Sequence, residues 1–300
     1  MYLGIDIGGT NVKFGVIDEN YNILKKYSIP TDAKREADGV SGDIIGKALE
    51  IAAEYPIELI GMGCPGRIDS AEGICVSAGN LPFKNYPLRA IVEDATGIPT
   101  YLGNDARCAV CGELYAGAGR ECDNFVMITL GTGVGGGVVI NKTPYLGRAG
   151  GAGEIGHITV DINGERCKCG QIGCLEHYAS VTALVAQTRA AAEKEPDSIL
   201  GKMCEKGVSG RTAFDAKRAG CPVGAEVVDR YIGYVAVGVV NASRMLQPDL
   251  VVIGGAISNE GDNLIIPLRE KVGPRHPVVA SELRNDAGLI GAVAMALRNG

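Results

Sequence analysis

Short apolar runs alternate with helical stretches along the whole chain. Residues 2–7 (YLGIDI) form one such run, broken by Gly8-Gly9-Thr10. Residues 12–17 alternate apolar with polar and end at Asp18; Asp18-Glu19-Asn20 then turns the chain into residues 23–29. Runs of this length, bounded by Gly and Asp/Asn clusters, predict three antiparallel strands joined by tight turns. Residues 43–55 place Ile44, Ile45, Ala48, Leu49 and Ala52 at helical spacing, which predicts a helix. A strand over 59–64 closed by Pro65-Gly66, a helix over 88–96, a strand over 100–102 and a helix over 105–115 follow. Asn104-Asp105 opens the last helix, and both are good capping residues.

The pattern then restarts. A strand over 124–130, a glycine run over 131–137 and a strand over 138–141 repeat the strand, glycine turn, strand device of the N-terminus. This reads as two related halves. Residues 147–173 are rich in glycine, bear cysteines and carry few regular signals. Helices are expected over 181–193 and 223–246, the second ended by Pro248-Asp249, and a strand over 250–253 runs into Gly254-Gly255. A small-residue helix over 288–297 is suited to close packing on a sheet. Strands alternating with helices define an α/β fold. The expected domains are 1–117, with the terminal helix 285–300 packing back on it, and 118–284, which holds the cysteine-bearing loop.

Composition narrows the function. The length of 300 residues suits two domains. The net charge is 29 − 35 = −6, so no basic field exists to grip nucleic acid or an anionic membrane. No apolar run approaches the ~18 residues that span a bilayer. The N-terminus carries Asp6 and no basic n-region, unlike a signal peptide. A cytoplasmic location is therefore expected, where the ten cysteines serve as thiols or metal ligands. Tryptophan is absent and aromatics are 5%, which argues against stacking platforms for single-stranded nucleic acid. Glycine, at 44 residues, is about twice its usual share.

Three segments match GxGxxG, at 61–66, 131–136 and 151–156. At this glycine content about one match arises by chance. The copy at 131–136 is followed by Val138-Val139-Ile140, an expected strand, whereas the dinucleotide fingerprint needs a helix there. A nicotinamide-dependent dehydrogenase is disfavoured. Glycines in a strand-to-strand turn instead let backbone N–H groups approach an anion. Gly8, Gly9 and Thr10 form one such turn; Gly131, Thr132 and Gly133 form another. Lys13 is placed to add positive charge, and Asp6 to hold Mg²⁺ through water. Either turn alone is equally an ordinary hairpin. Paired in duplicated halves, with Gly254-Gly255 after a third strand, they read as clamps on the β- and γ-phosphates of ATP.

Cys167, Cys169 and Cys174 place three thiols within eight residues, and His157 lies ten residues earlier. Three thiolates and an imidazole complete a tetrahedral zinc shell with no open position, which points to a structural site. The alternative is a set of reduced cysteines in a loop; Gly170 and Gly173 supply the turns a metal knuckle needs. Cys108 and Cys111 lie three apart in an expected helix and read as small packed hydrophobes.

These segments resemble the actin-like ATPase fold shared by hexokinases and, more narrowly, the ROK family (repressors, open reading frames, sugar kinases). The resemblance rests on GIDIGGTNVKFGVID at 4–18, GCPG at 63–66, GNDA at 103–106 and LGTGVGGG at 130–137. It continues through GGAGEIGH at 150–157, CKCGQIGCLE at 167–176 and VVIGGAIS at 251–258. It implies an ATP-dependent hexose kinase of the glucokinase type, with Mg²⁺-ATP and sugar bound between the two halves. It also implies structural zinc on His157, Cys167, Cys169 and Cys174, and a homodimer.

A polyol pocket needs fixed carboxylates, amides and an imidazole to match its hydroxyls. The resemblance implies Asn104, Asp105, Glu154, His157 and Glu176 for this set, with Gly66 and Asn80 as further sugar contacts. The zinc loop would brace Glu154, His157 and Glu176. Asp105 is the candidate general base for the attacking hydroxyl; its plainer role is a helix cap. Alternatives within the family are kinases of N-acetylmannosamine, N-acetylglucosamine or fructose. Outside catalysis, the alternative is a sugar-sensing regulator, disfavoured because the hairpin begins at Gly4 and the chain is acidic. Arg107, His177 and Ala256 depart from the family pattern.

Overall fold

The computed structural model describes residues 1–148 and 151–299. The first glycine of GGAGEIGH, at 150, and the last residue of the expected helix 285–300 lie outside them. The chain divides into two compact units, Met1–Arg120 with Asn285–Gly300, and Glu121–Arg284.

In the first unit, β1 (Tyr2–Ile7), β2 (Asn11–Ile17) and β3 (Ile23–Pro30) form an antiparallel meander. α1 (Ala37–Glu54) leads to β4 (Leu59–Cys64), which pairs in parallel with β1. α1 begins at Ala37, six residues before the expected start, because Val40 and Ser41 are buried along with Ile44 and Ala48. A small antiparallel sheet, β5 (Arg67–Asp69), β6 (Ile74–Ser77) and β7 (Lys84–Tyr86), was not expected; its strands of three or four residues are too short to show a period. α2 (Leu88–Thr96), β8 (Thr100–Asn104) and α3 (Asp105–Ala116) complete the unit, giving the sheet order β3-β2-β1-β4-β8.

The C-terminal helix Ala287–Asn299 returns to this unit and packs on β1, β4 and α3. Glycine makes the approach possible. A Cβ at Gly61 of β4 would stand 2.2 Å from the Ala292 carbonyl oxygen, and one at Gly4 of β1 would stand 2.4 Å from that of Leu289. Cys108 and Cys111 are buried here among Ala292, Met295 and Ala296, as small hydrophobes.

The second unit repeats the topology. β9 (Phe125–Leu130) pairs antiparallel with β10 (Val134–Ile140), and β9 also pairs in parallel with β12 (Leu250–Gly254). β11 (Thr143–Pro144) and β13 (Val278–Ala280) sit at the edges, giving the order β11-β10-β9-β12-β13. Each sheet is thus built on a hairpin whose first strand accepts a later parallel strand. The expected α/β class is what the chain adopts, with one five-stranded sheet in each unit.

The glycine run is where the expected strand limits fail: β10 begins at Val134, four residues before the expected 138, and includes Gly135–Gly137. Those glycines show no apolar period because they have no side chains, yet their lack of Cβ lets residues 153–156 lie against the strand. A Cβ at Gly136 would come 2.6 Å from the Gly153 carbonyl oxygen, and one at Gly156 would come 2.0 Å from that of Val134.

Helices α4 (Glu176–Ala179), α5 (Val181–Lys194), α6 (Ile199–Cys204), α7 (Thr212–Arg218), α8 (Pro222–Leu246) and α9 (Asp262–Val272) cover this sheet. Their core joins Val126, Ile128 and Val251 of the strands to Tyr231, Val235 and Val239 of α8. Pro222 at the first position of α8 pre-sets its φ. No helix among the described residues is long and apolar enough to cross a membrane.

Candidate active site and metal centre

The first hairpin places Asp6 directly opposite Lys13, so both side chains leave the same face. Lys13 Nζ lies 3.2 Å from Asp6 Oδ2. Both groups are partly exposed, so the pair is worth about 0–1 kcal/mol and either group is free to turn to a charged ligand. At the tip, Gly8 N donates to Asn11 O at 3.0 Å. The Gly9 and Thr10 amides donate to no acceptor among the described residues. Gly9 faces Asn80: a Cβ there would stand 3.4 Å from Asn80 Cβ. The Asp6 carboxyl also lies against Gly288, where a Cβ would come within 3.3 Å of Asp6 Cγ. Sequence reasoning saw a small-residue helix at 288–297 but did not connect Gly288 with Asp6.

Asn104 and Asp105 divide their tasks. Asn104 is the cap of α3: its Oδ1 accepts from Arg107 N at 3.2 Å, and its Nδ2 donates to Gly66 O at 3.0 Å. One amide thereby ties the helix start to the turn after β4, where Gly66 has φ +98°. The cap uses only the backbone of residue 107, so the unusual Arg107 is compatible with it. Asp105 is the first helical residue, and its Oδ1 accepts from Ala106 N at 2.8 Å. Burial pushes its carboxyl above the ordinary range, the Ala106 amide opposes this, and the Asp6 carboxylate adds to the rise. A carboxyl spared the cap position, with only Oδ1 engaged and its pKa tuned upward, is suited to proton transfer.

In the second unit, the loop Gly131–Thr132–Gly133 is held from one side by residues 176–182. Val181 N donates to Gly131 O at 2.8 Å, and Thr182 Oγ1 donates to Thr132 O at 2.7 Å. Val134 N donates to Glu176 Oε2 at 2.9 Å, and a Cβ at Gly133 would stand 2.2 Å from that same oxygen. The Thr132 and Gly133 amides donate to no acceptor among the described residues. Gly255, at φ +81°, adjoins the loop: a Cβ there would stand 2.4 Å from Leu130 O. The residues expected at the second phosphate clamp therefore cluster at one end of this sheet.

Glu260, which sequence reasoning missed, closes the turn behind Gly254-Gly255. Its buried carboxylate meets Arg218 Nη1 at 2.6 Å and Arg211 Nε at 3.7 Å. A lone Glu in a turn carries no sequence signal of such partners.

Glu154 is exposed and precedes the 3-10 turn Ile155–His157. His157 Nδ1 lies 3.7 Å from Cys167 Sγ, and Cys169 Sγ lies 3.5 Å from Cys174 Sγ. The four ligand atoms all fall within 4.8 Å of one another. Zinc bonds of about 2.0–2.3 Å imply tetrahedron edges of about 3.3–3.8 Å, so this donor set fits the ion. Gly170 (φ +96°) and Gly173 (φ +64°) make the turns that fold the thiols together. His177, the other unusual residue here, has Nδ1 3.5 Å from Glu165 Oε2 of the same loop.

The ROK family profile matches residues 2–299. The glucokinase of Thermotoga maritima is 37% identical over 305 residues, covering 98% of this chain and 96% of its own. The N-acetylmannosamine kinase of Yersinia pestis is 30% identical over 301 residues, covering 98% and 97%. A ROK family glucokinase from Streptomyces griseus, solved in complex with glucose and AMPPNP, superposes with a TM-score of 0.89 at 32% identity, covering 99% of each chain. Full-length likeness in both sequence and fold leads to one conclusion: this chain belongs to the ROK family.

Proposed function

We propose that this chain is an ATP-dependent glucokinase, converting glucose and ATP to glucose 6-phosphate and ADP with Asp105 as general base. The observation that carries the reading is the division of labour at the start of α3, where Asn104 caps and leaves Asp105 available. The Asp105 carboxylate takes the proton of the attacking sugar hydroxyl as its oxygen forms the new bond to the γ-phosphorus. The bond from that phosphorus to the β-γ bridging oxygen breaks, and ADP leaves with the electron pair. Gly66, Asn80, Asn104, Glu154, His157 and Glu176 are the sugar-binding residues of this reading.

Asp6, Gly8, Gly9, Thr10 and Lys13 receive phosphate oxygens at one hairpin, and Gly131, Thr132 and Gly133 at the other, with Gly254 and Gly255 beside it. The unused amides at both turns support this role. Asp6 would hold Mg²⁺, which would neutralise phosphate charge. His157, Cys167, Cys169 and Cys174 would hold zinc, which would order the loop between Glu154 and Glu176. His157 approaches the thiols through Nδ1, leaving Nε2 for a sugar hydroxyl. The family resemblance implies a homodimer.

The test is ADP release with Mg²⁺-ATP across a panel of hexoses and N-acetylhexosamines. Glucose should give the highest kcat/KM. Preference for N-acetylmannosamine would move the chain to that kinase class, which the Yersinia relative supports. Absence of any sugar-dependent ADP release would end the kinase reading.

A further inference from the structure

The ends of α8 and α9 and the loop into β13 border a half-open recess of about 660 Å³ in the second unit, a size that accommodates a small metabolite. Its lining includes Ser243, Arg244, Gln247, Val272, Arg275 and His276. None of these side chains takes part in the sites described above. β12 starts beside this recess and ends at Gly254; five residues at about 3.3 Å each separate the recess from the phosphate loops by roughly 17 Å.

The charge of the lining is one-sided. Its ionisable members are two arginines and a histidine, with no carboxylate among them. Three of the neighbouring charged groups are already committed. Asp249 Oδ2 accepts from Asp123 N and Asn124 N, Lys271 pairs with Asp229 at 2.8 Å, and Arg269 Nε donates to Val278 O at 2.7 Å. Arg244, Arg275 and His276 have no side-chain partner among the described residues.

Ser243 supplies an independent sign. It is 6% exposed, and its Oγ has no hydrogen-bond partner. Leaving a buried hydroxyl unpaired costs about 1–3 kcal/mol. A helical hydroxyl can bond the carbonyl four residues earlier, as Thr188 does with Leu184 O at 2.7 Å; Ser243 does not. One effect opposes an anion here: α8 and α9 both end at the recess, and each helix terminus brings partial negative charge worth about 0.3–1 kcal/mol. Hydrogen bonds from charged donors contribute about 1.5–3 kcal/mol each, so two guanidiniums outweigh it.

We infer that this recess binds a phosphate group, with the Arg244 and Arg275 forks on its oxygens and the Ser243 hydroxyl and His276 ring as further donors. Paired guanidiniums match phosphate oxygens in geometry as well as charge. The group has two sources, free inorganic phosphate or a hexose monophosphate.

The experiment is calorimetric titration of the full chain with inorganic phosphate and, separately, with glucose 6-phosphate. Each titration is run with glucose and a non-hydrolysable ATP analogue already saturating. One saturable event per chain is expected. Arg244→Gln/Arg275→Gln should weaken it about tenfold or more, equivalent to about 1.4 kcal/mol, with kcat on glucose unchanged. Ser243→Ala should also weaken it while raising thermal stability, which keeps the inference testable if the double variant folds poorly. Equal heats with both ligands identify the free anion; tighter binding of the ester identifies the hexose phosphate. Hydrogen exchange should slow over 243–248 and 272–278 on binding. Binding unaffected by the variants, or no saturable event with either ligand, would overturn the inference.

Discussion

Glu176 Oε2 accepts the Val134 amide at 2.9 Å, across the base of the Gly131–Gly133 loop. A residue expected only at the sugar thereby also anchors the turn proposed to receive phosphate. A Cβ at Gly133 would stand 2.2 Å from that oxygen, so a side chain there would have to displace the carboxylate from Val134 N. The same segment supplies the Val181 and Thr182 bonds to the loop, so the chain after the thiol cluster braces the turn at three points.

Glu176→Gln keeps a carbonyl oxygen for Val134 N, whereas Glu176→Ala leaves that amide unpaired at a cost of about 1–3 kcal/mol. The alanine variant should lower the urea midpoint and raise KM for ATP. The glutamine variant should keep the midpoint and change chiefly KM for the sugar. Equal midpoints for both variants would show that the bond does not anchor the loop.

Asp105→Asn should reduce kcat by about 10²–10⁴-fold, the range attributed to general-base catalysis, with little change in sugar affinity. Its raised pKa gives a second readout. Between the ordinary carboxyl value of 3.8 and the higher folded value, the folded protein keeps a proton that the unfolded chain has lost. Stability therefore falls as pH rises through that window and stays lower above it. Asp105→Asn should abolish this decline and melt higher than the parent at neutral pH. In the parent, kcat/KM should rise with pH along a limb lying above 3.8. A variant with normal turnover would remove Asp105 from the base role.

Gly61→Ala tests the seat of the C-terminal helix. The added methyl would stand 2.2 Å from Ala292 O and 2.7 Å from Val293 N. These are backbone atoms and cannot rotate away. Overpacking costs about 1–3 kcal/mol and more where nothing yields, so the urea midpoint should fall markedly. An unchanged midpoint would mean that the helix does not pack this closely.

Zinc removal should act locally first. Native protein should carry about one zinc per chain by elemental analysis. Chelation, or Cys169→Ser, should speed hydrogen exchange over 157–174, because metal binding and loop order are coupled. KM for the sugar should rise, through loosening of Glu154, His157 and Glu176. Exchange over 2–17 should stay unchanged. Metal-free protein with full loop protection would exclude the bracing role.

Some of this molecule is written locally. The β1–β2 hairpin, the thiol triplet with its two glycine turns, and the capping pair at 104–105 each depend on residues close in sequence, where turn chemistry and apolar period suffice. The short β5–β7 sheet and the glycine strand β10 lack such a period, so their strand character comes from partners they meet only when folded.

The sequence by itself determined the α/β class, the duplicated glycine hairpins and the thiol set, because spacing along a strand or turn dictates which groups share a face. Tertiary structure decided which of Asn104 and Asp105 caps and that Gly288 makes room for Asp6. It also set Glu176 against Val134 and gathered Arg244, Arg275 and Ser243 around one recess. Those relationships join residues up to 282 positions apart (6 to 288), and burial and hydrogen-bond geometry at such separations arise only when packing brings the segments together.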